Sequence, residues 1–419
     1  MNSYPEYKDS GFEWLGEIPT YWKLSRIGNF FQERSVKVDD TSFPPLSVTM
    51  NGIVDQLSDV AKTNDNDNRK LVRKDDFVIN SRSDRKGSSG ISPRDGSVSL
   101  INIVLAPSNI EPSYIEHLFK GYYFKEEYFR NGKGIHWDLW TTRWDQLKNI
   151  NIPVPPIETQ ILISKFLDKK TSQIDSLIEK TERKILLLKE ERTALINQCV
   201  TKGLDPNVKM KDSGIEWIGE IPKHWLVIPN GGLFKEKSIK NTEGEKNLSV
   251  YRDYGVILTD SRDDNHNRIS EDTSGYKLVE VGDFVLNKMK CWMGSLGVSE
   301  YRGIVSPSYT VCEPTKEIHR KYFHHLLRSQ TYIQIYKSFS YGVRIGQWEL
   351  RFHDFKTIKS LYPPIQEQIL ISKFLDKKTS QIDSLIEKEI HRINLLKEYR
   401  QSLISNVVTG KVRVTEDMI

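Results

Sequence analysis

The chain has 419 residues, enough for two or more domains with cores of their own. Its net charge of +5 permits a polyanionic partner without requiring one. No run of eighteen apolar residues occurs, and the polar start MNSYPEYKDSG lacks the pattern of a signal peptide. The sequence therefore predicts no membrane span. The isolated Cys199, Cys291 and Cys312 favour a reducing cytoplasm over a zinc site.

The chain is an internal tandem duplication. Residues 161–180 (ILISKFLDKKTSQIDSLIEK) recur letter for letter at residues 369–388, and KDSGFEWLGEIPTYW (8–22) matches KDSGIEWIGEIPKHW (211–225). The stretches between these segments have diverged, so each half is a constant frame that holds a variable insert. If the two frames bind a partner, they are expected to bind the same molecule twice, or a twofold-related surface. The two inserts are expected to bind different ligands, or two different versions of one ligand. Recombination between the repeats is an alternative, but it does not explain why the inserts differ.

The first element of each frame is rich in turn formers and tryptophan. We interpret it as a strap that ties the insert to the rest of the frame. Trp14, Trp22, Trp217 and Trp225 are expected to pack in the core and not to contact a ligand.

The inserts, residues ~23–154 and ~226–362, alternate short β-rich runs such as DFVIN and DFVLN with helical stretches. This pattern predicts a compact mixed α/β domain in each half.

Each insert has a loop with basic, small and polar residues directly after its DFV strand. Arg and Lys suit phosphates and guanine edges, and Asn suits adenine. A basic loop is more often simply solvated, but here different letters stand at the same position, as readers of two DNA sequences would require. The candidate DNA-binding residues are Asn80, Arg82, Arg85 and Lys86 in the first copy, and Lys288, Lys290 and Trp292 in the second.

Further candidates lie near the end of each insert and after the LSV strand, with structural packing as the alternative. Near the ends they are His136, Trp137, Trp140 and Arg143, and Arg344, Gln347, Trp348 and Arg351. After the LSV strand they are Tyr251 and Arg252, which align near Thr49, Met50 and Asn51.

Each insert is followed by one long predicted helix. Proline pairs at 155–156 and 363–364 suit a helix start, and no further Pro or Gly occurs before Gly203 and Gly410. About 45 residues would span roughly 65 Å, a length typical of coiled coils. Apolar residues recur at alternating steps of four and three from Ile174 and from Ile382. Antiparallel packing of the two helices, with a pseudo-twofold axis between the halves, is the simplest closed arrangement.

Both seams contain an arginine at the equivalent position, Arg192 and Arg400. These arginines either fix the register of the helix pair or extend from the edge of the seam into solvent.

The sequence has no catalytic signature. It contains no GxxxxGK[ST] phosphate loop, no methyltransferase tetrapeptide of the Asn-Pro-Pro-aromatic kind, and no HExxH, GxSxG or nuclease motif. This pattern predicts a binding protein, with any chemistry supplied by another molecule.

The arrangement resembles the specificity subunit (HsdS) of Type I restriction–modification systems over essentially the full chain. The resemblance is carried by the frames SGFEWLGEIPTYW and SGIEWIGEIPKHW and by the junctions IPVPPIETQ and LYPPIQEQ before the long helices. GDFVLNKMKCWMGSLGVSEYRGIVSPSYTV in the second insert is similar to the target-recognition core of the family, whereas the first insert departs from that pattern.

The resemblance implies a non-catalytic, cytoplasmic subunit in which each insert is a target-recognition domain for one half of a bipartite, asymmetric DNA site. The paired helices would set the spacer between the half-sites. Two methyltransferase subunits would dock on the frames, and restriction–translocase subunits would join them. S-adenosylmethionine, ATP and magnesium would bind to those partners, with no catalytic or metal-binding residue in this chain. The expected partner-binding residues are Ile161, Phe166, Ile174, Ile369, Phe374 and Ile382.

The expected fold is mixed α/β, with two pseudo-twofold-related target-recognition domains separated by two long helices that form an antiparallel coiled coil. The expected boundaries are 1–155 for the first target-recognition domain, 156–202 for the first long helix, 203–363 for the second domain, 364–412 for the second helix and 413–419 for a tail.

Two alternatives stay open. One is the specificity subunit of a Type IIB-like restriction complex, which neighbouring genes would distinguish. The other is a coiled-coil scaffold that does not bind DNA, and it predicts no salt-sensitive DNA binding in any assembly.

Overall fold

The computed structural model describes residues 3–57, 68–82, 85–134, 140–240, 244–252, 254–261, 272–342 and 348–419. The chain forms two compact units. The first unit consists of Met1–Glu182 and His391–Ile419, and the second consists of Arg183–Ile390. In the described part of the chain, no helix has both the length and the apolar character of a membrane span.

The first unit begins with the predicted strap and continues into the first insert. Its strands are β1 (Tyr7–Asp9), β2 (Glu17–Pro19), β3 (Lys23–Arg26), β4 (Phe31–Glu33), β5 (Lys37–Val38), β6 (Leu46–Thr49), β7 (Gly52–Asp55), β8 (Arg69–Val72), β9 (Phe77–Asn80), β10 (Ser89–Ile91), β11 (Gly96–Ser99), β12 (Asn102–Pro107) and β13 (Asn151–Val154). Its short helices are α1 (Pro112–Lys120), α2 (Tyr122–Arg130) and α3 (Trp144–Leu147).

A four-stranded antiparallel sheet in the order β10-β9-β12-β4 organises the first insert. Phe77 and Ile79 of β9 belong to the core that also contains Phe119 of α1, and the Phe77 and Phe119 rings are 5.0 Å apart. The intervening Val78 points to the opposite face and belongs to a second core with Val104. Because both faces of the sheet are buried at its centre, the two central strands β9 (FVIN) and β12 (NIVLAP) contain continuous apolar runs.

The helix α4 (Ile157–Lys202) leads into the second unit, which repeats this plan. Its strands are β14 (Met210–Asp212), β15 (Glu220–Pro222), β16 (Leu226–Pro229), β17 (Phe234–Lys237), β18 (Leu248–Tyr251), β19 (Gly255–Leu258), β20 (Lys277–Val279), β21 (Phe284–Asn287), β22 (Leu296–Val298), β23 (Gly303–Val305), β24 (Tyr309–Pro314) and β25 (Lys359–Tyr362). Its helices are α5 (Arg320–Leu327), α6 (Gln330–Phe339), α7 (Phe352–Phe355) and α8 (Ile365–Val408), whose last residues lie in the first unit.

The central sheet of the second unit has the order β17-β24-β21-β22. Phe284 and Leu286 face the core that contains the helices, and Val285 faces the smaller core on the other side. Successive side chains of the central strand β21 therefore point to two opposite buried faces of the sheet, as those of β9 do in the first unit.

The strap is a short antiparallel hairpin in each unit, β1 with β2 and β14 with β15. The prediction that its tryptophans pack in the core is confirmed for Trp14, Trp22 and Trp225, which are buried. Trp217 is partly buried, and its ring lies 5.0 Å from that of Tyr332.

Each long helix begins directly after its proline pair and ends before a glycine with positive φ, Gly203 (+78°) or Gly410 (+79°). A glycine in this left-handed conformation commonly terminates a helix. With Gly410 in that conformation, α8 ends at Val408, four residues before the expected boundary at 412. In the expected tail, 413–419, Val414 is buried in the core of the first unit.

The long helices run antiparallel. In the second unit, Lys184 Nζ lies 2.5 Å from Glu389 Oε1, and Arg192 pairs with Asp383. As the residue number increases along α4, the number of the residue opposite it on α8 decreases, so the two helices run in opposite directions. The predicted seam positions are buried or half-buried on both helices. The predicted mixed α/β class and the antiparallel pairing of the long helices are confirmed.

The two seam arginines form equivalent ion pairs. Arg192 Nε and Nη2 donate to Asp383 Oδ1 and Oδ2 at 2.8 and 3.2 Å in the second unit. Arg400 Nε lies 3.0 Å from Asp175 Oδ1 in the first unit. Asp175 and Asp383 occupy the same position in the duplicated segment, so each pair restricts the register of the helices by the same contact. All four side chains are more than one-third exposed, so their contribution to stability is small.

Candidate DNA interface

A buried glutamine attaches each insert to its long helix. In the first unit, Gln160 Oε1 accepts a hydrogen bond from Glu111 N (2.9 Å), and its Nε2 donates to Pro155 O (2.8 Å). In the second unit, Gln368 makes the same two bonds at 2.9 and 2.8 Å, to His319 N and Pro363 O. The Pro-Pro junction and the following Gln therefore position the insert relative to the helix.

A buried tyrosine in each unit contacts the end of the other long helix. Tyr114 OH donates to Val408 O of α8 (3.2 Å), and Tyr322 OH donates to Val200 O of α4 (3.1 Å). Burial raises the pKa of both phenols well above the ordinary value, so they remain neutral donors. Each insert is thus attached to both long helices, and the loop after β9 or β21 leads to an edge strand of its sheet, β10 or β22.

In the first unit, the loop after β9 carries the predicted Asn80, Arg82, Arg85 and Lys86. Asn80 is buried, and its Oδ1 accepts a hydrogen bond from Arg82 N (3.0 Å), so its side chain shapes the turn. Arg82, Arg85 and Lys86 are exposed. Lys86 Nζ lies 2.7 Å from Glu126 Oε1 of α2. The loop therefore presents cations to solvent, and Asn80 contributes to its shape.

The end of the first insert lies beside this loop. Thr142 N donates to Ser81 O (2.9 Å), and residues 82 and 141 form a β-bridge. The adjacent Arg143 is exposed, and the Trp140 ring packs 5.4 Å from that of Phe129. The structure thus brings Arg143 and the basic loop together. His136 and Trp137 lie outside the described residues.

The second unit has the same juxtaposition with different chemistry. Leu350 N donates to Lys288 O (2.9 Å), and the rings of Trp292 and Trp348 are 5.3 Å apart. Lys290 is exposed, and Lys288 is half-buried. The predicted Lys288, Lys290, Trp292 and Trp348 therefore lie on one surface, whereas Arg344 and Gln347 lie outside the described residues. Arg351 is exposed, with its guanidinium 5.5 Å from the centre of the Tyr341 ring.

A hairpin turn borders each loop. In the second unit, Arg328 donates to Arg252 O (2.6 Å) and to Leu296 O (2.7 Å), which ties the turn after Tyr251 to β22. A β-carbon on Gly294 would lie 3.8 Å from Arg252 Cγ, so this arginine reaches the loop after β21. In the first unit, residues 49–51 form the equivalent turn, and Met50 is largely exposed.

The chemistry available on these surfaces is hydrogen bonding, charge and stacking. Among the residues that the structure describes, no group of three His, Cys, Asp or Glu side chains is placed to hold a metal ion. The three cysteines are buried, and burial raises the pKa of Cys199 to about 11. Arginine, lysine and tryptophan at a loop edge are suited to phosphates and nucleobases.

The sequence matches the family model of the Type I restriction modification DNA specificity domain twice, over residues 20–187 and 222–395. The chain belongs to this family. It is a specificity subunit with two target-recognition domains.

Three relatives are named as specificity subunits. The subunit is 22% identical to the Type I restriction enzyme MjaVIII specificity subunit of Methanocaldococcus jannaschii, and the match covers 97% of each chain. It is 25% identical to the putative MjaX specificity subunit of the same organism, over 64% of this chain and 61% of the relative. It is 26% identical to the EcoKI specificity subunit of Escherichia coli, over 63% and 58%. The specificity subunit thus spans about three-fifths of the length of MjaX and EcoKI and nearly all of MjaVIII.

Two solved structures share its fold. One comes from work on complex assembly and conformational transition of the type I R-M system, with a TM-score of 0.62, 15% identity and coverage of 94% of this chain and 99% of that chain. The other is the HsdS subunit from Thermoanaerobacter tengcongensis, with a TM-score of 0.50, 15% identity and coverage of 96% and 100%.

The expected partner-binding residues of the specificity subunit differ in exposure. Phe166, Ile174 and Ile382 are buried within their own units, because they lie on the helix faces that pack against the insert or the other long helix. These three side chains belong to the chain's own core. Ile161 is exposed, and Ile369 and Phe374 are half-buried, so these three are accessible to another protein.

Sequence reasoning missed several residues that position the two target-recognition domains. Tyr114 and Tyr322 are 208 residues apart, as are Gln160 and Gln368. Histidines at the same spacing contact the long helices, His117 with Asp168 (2.7 Å) and His325 with Asp376 (3.5 Å). For the tyrosines and histidines, the signal is an identical residue at the shared spacing inside otherwise diverged inserts, whereas the glutamines belong to the duplicated junctions.

Proposed function

We propose that this specificity subunit binds a bipartite, asymmetric DNA target, with one half-site for each target-recognition domain. The observation that carries the proposal is the pair of equivalent loop surfaces, built on the same framework from different residues. Arg82, Arg85, Lys86 and Arg143 would contact the first half-site. The second half-site would be contacted by Tyr251, Arg252, Lys288, Lys290, Trp292, Arg344, Gln347 and Trp348.

The two surfaces favour different modes of contact. The first is dominated by exposed cations, which suit phosphates and guanine edges. The second places Trp292 against Trp348 beside Lys290 and Arg252, which supports stacking or apolar contact in addition to charge. Since the residues differ, the two halves of the target are expected to differ in sequence.

The frames are the proposed docking sites for two copies of a methyltransferase subunit, in a complex that restriction–translocase subunits can join. Each unit exposes the same two leucines of the long helices, Leu177 and Leu395 in the first and Leu385 and Leu187 in the second. Exposed apolar residues that recur in both copies favour one kind of partner bound twice. S-adenosylmethionine, ATP and magnesium would be bound by the partners, in the cytoplasm.

The test is long-read sequencing for N6-methyladenine in DNA from cells that express the chain with its neighbouring methyltransferase. A bipartite motif with two unlike halves, lost when the gene for this chain is deleted, is the expected result. If both proteins are expressed and no chain-dependent motif appears, the proposal is wrong and a scaffold role is favoured. The neighbouring genes would distinguish a Type I complex from a Type IIB-like complex.

A further inference from the structure

The candidate loops of the two units differ in what lies beneath them. Gly87 and Gly294 occupy equivalent positions in these loops. A β-carbon on Gly87 would lie 3.3 Å from Lys125 Nζ, and a β-carbon on Gly294 would lie 2.9 Å from Ile333 Cδ1. Lys125 and Ile333 are themselves equivalent, on α2 and α6. One position beneath the loop therefore holds a cation in the first unit and an aliphatic side chain in the second.

Lys125 lies among other cations. It is half-buried, and its pKa is lowered by burial and by the positive charges of Lys120, Arg400 and Lys86. Each of these three neighbours has a carboxylate partner: Lys86 with Glu126 at 2.7 Å, Lys120 with Glu116 at 2.7 Å and Arg400 with Asp175 at 3.0 Å.

Among the described residues, none forms an ion pair with the Lys125 ammonium group or accepts a hydrogen bond from it. An ammonium group that is partly desolvated and repelled by like charges is unfavourable in the free protein, and a bound anion would relieve that cost. This placement is therefore more consistent with ligand binding than with stabilisation of the fold.

Lys120, the last residue of α1, extends a second amine toward the neighbouring turn. A β-carbon on Gly52, in the β6–β7 turn, would lie 3.6 Å from Lys120 Nζ. The turn also touches the strand that follows the loop, because a β-carbon on Gly90 would lie 2.9 Å from Gly52 Cα. Lys120 and Lys125 thus lie beneath the turn and the loop that border the first candidate surface.

We propose that Lys86, Lys120 and Lys125, here called the lysine cluster, bind a backbone phosphate of the DNA at the first half-site. The proposal rests on the proposed function and extends it to a difference between the half-sites. Ile333 replaces the central cation in the second unit, so binding at the second half-site depends less on salt. A phosphate contact positions the DNA without selecting bases.

Ile333 also supplies the test substitution, since it shows that an aliphatic side chain fits this position. Lys125→Ile and the charge-retaining Lys125→Arg would be prepared in the full chain, in complex with the neighbouring methyltransferase. Fluorescence anisotropy with a labelled duplex that carries the methylated motif would measure Kd between 50 and 300 mM salt. Each phosphate contact contributes about 0.9 to the slope of log K against log salt.

Lys125→Ile should weaken binding about tenfold near 0.1 M salt and reduce the slope by about one, whereas Lys125→Arg should stay close to wild type. The methylated motif should not change. The Tm of the free Lys125→Ile chain should equal or exceed that of wild type, because a desolvated and repelled charge is removed.

Three results would overturn the proposal, and they are distinguishable. A wild-type slope in Lys125→Ile, with DNA binding intact, would reject the lysine cluster and leave the recognition role. A lower Tm in Lys125→Ile would indicate a structural role for Lys125. A wild-type complex with no salt-dependent DNA binding would reject both the cluster and the proposed function.

Discussion

Replacing Gln160 by leucine removes two hydrogen bonds and leaves Glu111 N and Pro155 O without their partner. Leucine has a similar volume, so the packing of this buried position is largely retained. Each backbone group left unsatisfied inside a protein costs about 1–3 kcal/mol, so the first unit should lose about 3 kcal/mol of stability. That loss corresponds to a roughly 150-fold increase in opening of the insert from α4.

Hydrogen exchange measured by mass spectrometry can assign this loss to one unit. The slowest amides of α1 should exchange roughly 150-fold faster in Gln160→Leu, while those of α5 keep their wild-type rates. Gln368→Leu should give the reverse pattern, since it makes the same bonds in the second unit. Gln173→Ala, an exposed position in the duplicated segment, is the matched control. Unchanged α1 protection, or equal loss in α1 and α5, would refute the reasoning.

Three further predictions concern modularity, spacing and pH. Exchanging residues 23–133 for the insert of a relative should change one half of the methylated motif, and a change in both halves would reject independent domains. One heptad inserted within residues 160–200 should alter the preferred spacer or abolish assembly, and an unchanged spacer with full activity would show that the helices do not set it. Burial lowers the pKa of His324 well below 6.5, so the unfolded chain takes up a proton that the folded one does not. The second unit should therefore lose up to about 1.4 kcal/mol per pH unit below 6.5, and His324→Gln should flatten this dependence of Tm on pH.

Much of the fold follows from the duplicated segments. The proline pairs, the absence of glycine up to Gly203 and Gly410, and the apolar spacing predicted two long helices and their antiparallel pairing. The sequence does not decide between the two roles of Arg192 and Arg400, because a charge partner on a neighbouring helix depends on the register. The structure supplies that register and places Asp383 and Asp175 opposite them.

The candidate site was predictable in position but not in the role of each side chain. The loop after β9 and the segment near Arg143 are separate candidates in the sequence, and only the folded chain brings them together. Asn80 resembled a base reader because its amide suits adenine, but an Asn at the end of a strand also forms turns, and here it does. Lys125 carried no sequence signal, since lysines on short helices are common and its meaning depends on Gly87 above it.

The first unit combines two segments, Met1–Glu182 and His391–Ile419, that lie on either side of the second unit in the sequence, and this affects the order in which a nascent chain can fold. The core that surrounds Trp22 includes Leu403, Val407 and Val414, which the ribosome adds only after the whole second unit. The second unit is one continuous stretch, Arg183–Ile390, and is complete earlier. During synthesis, the half that is made first therefore waits with its apolar surface uncovered until the half that is made second has been completed. A premature stop shortly after residue 390 would leave the second unit whole and the first without part of its core.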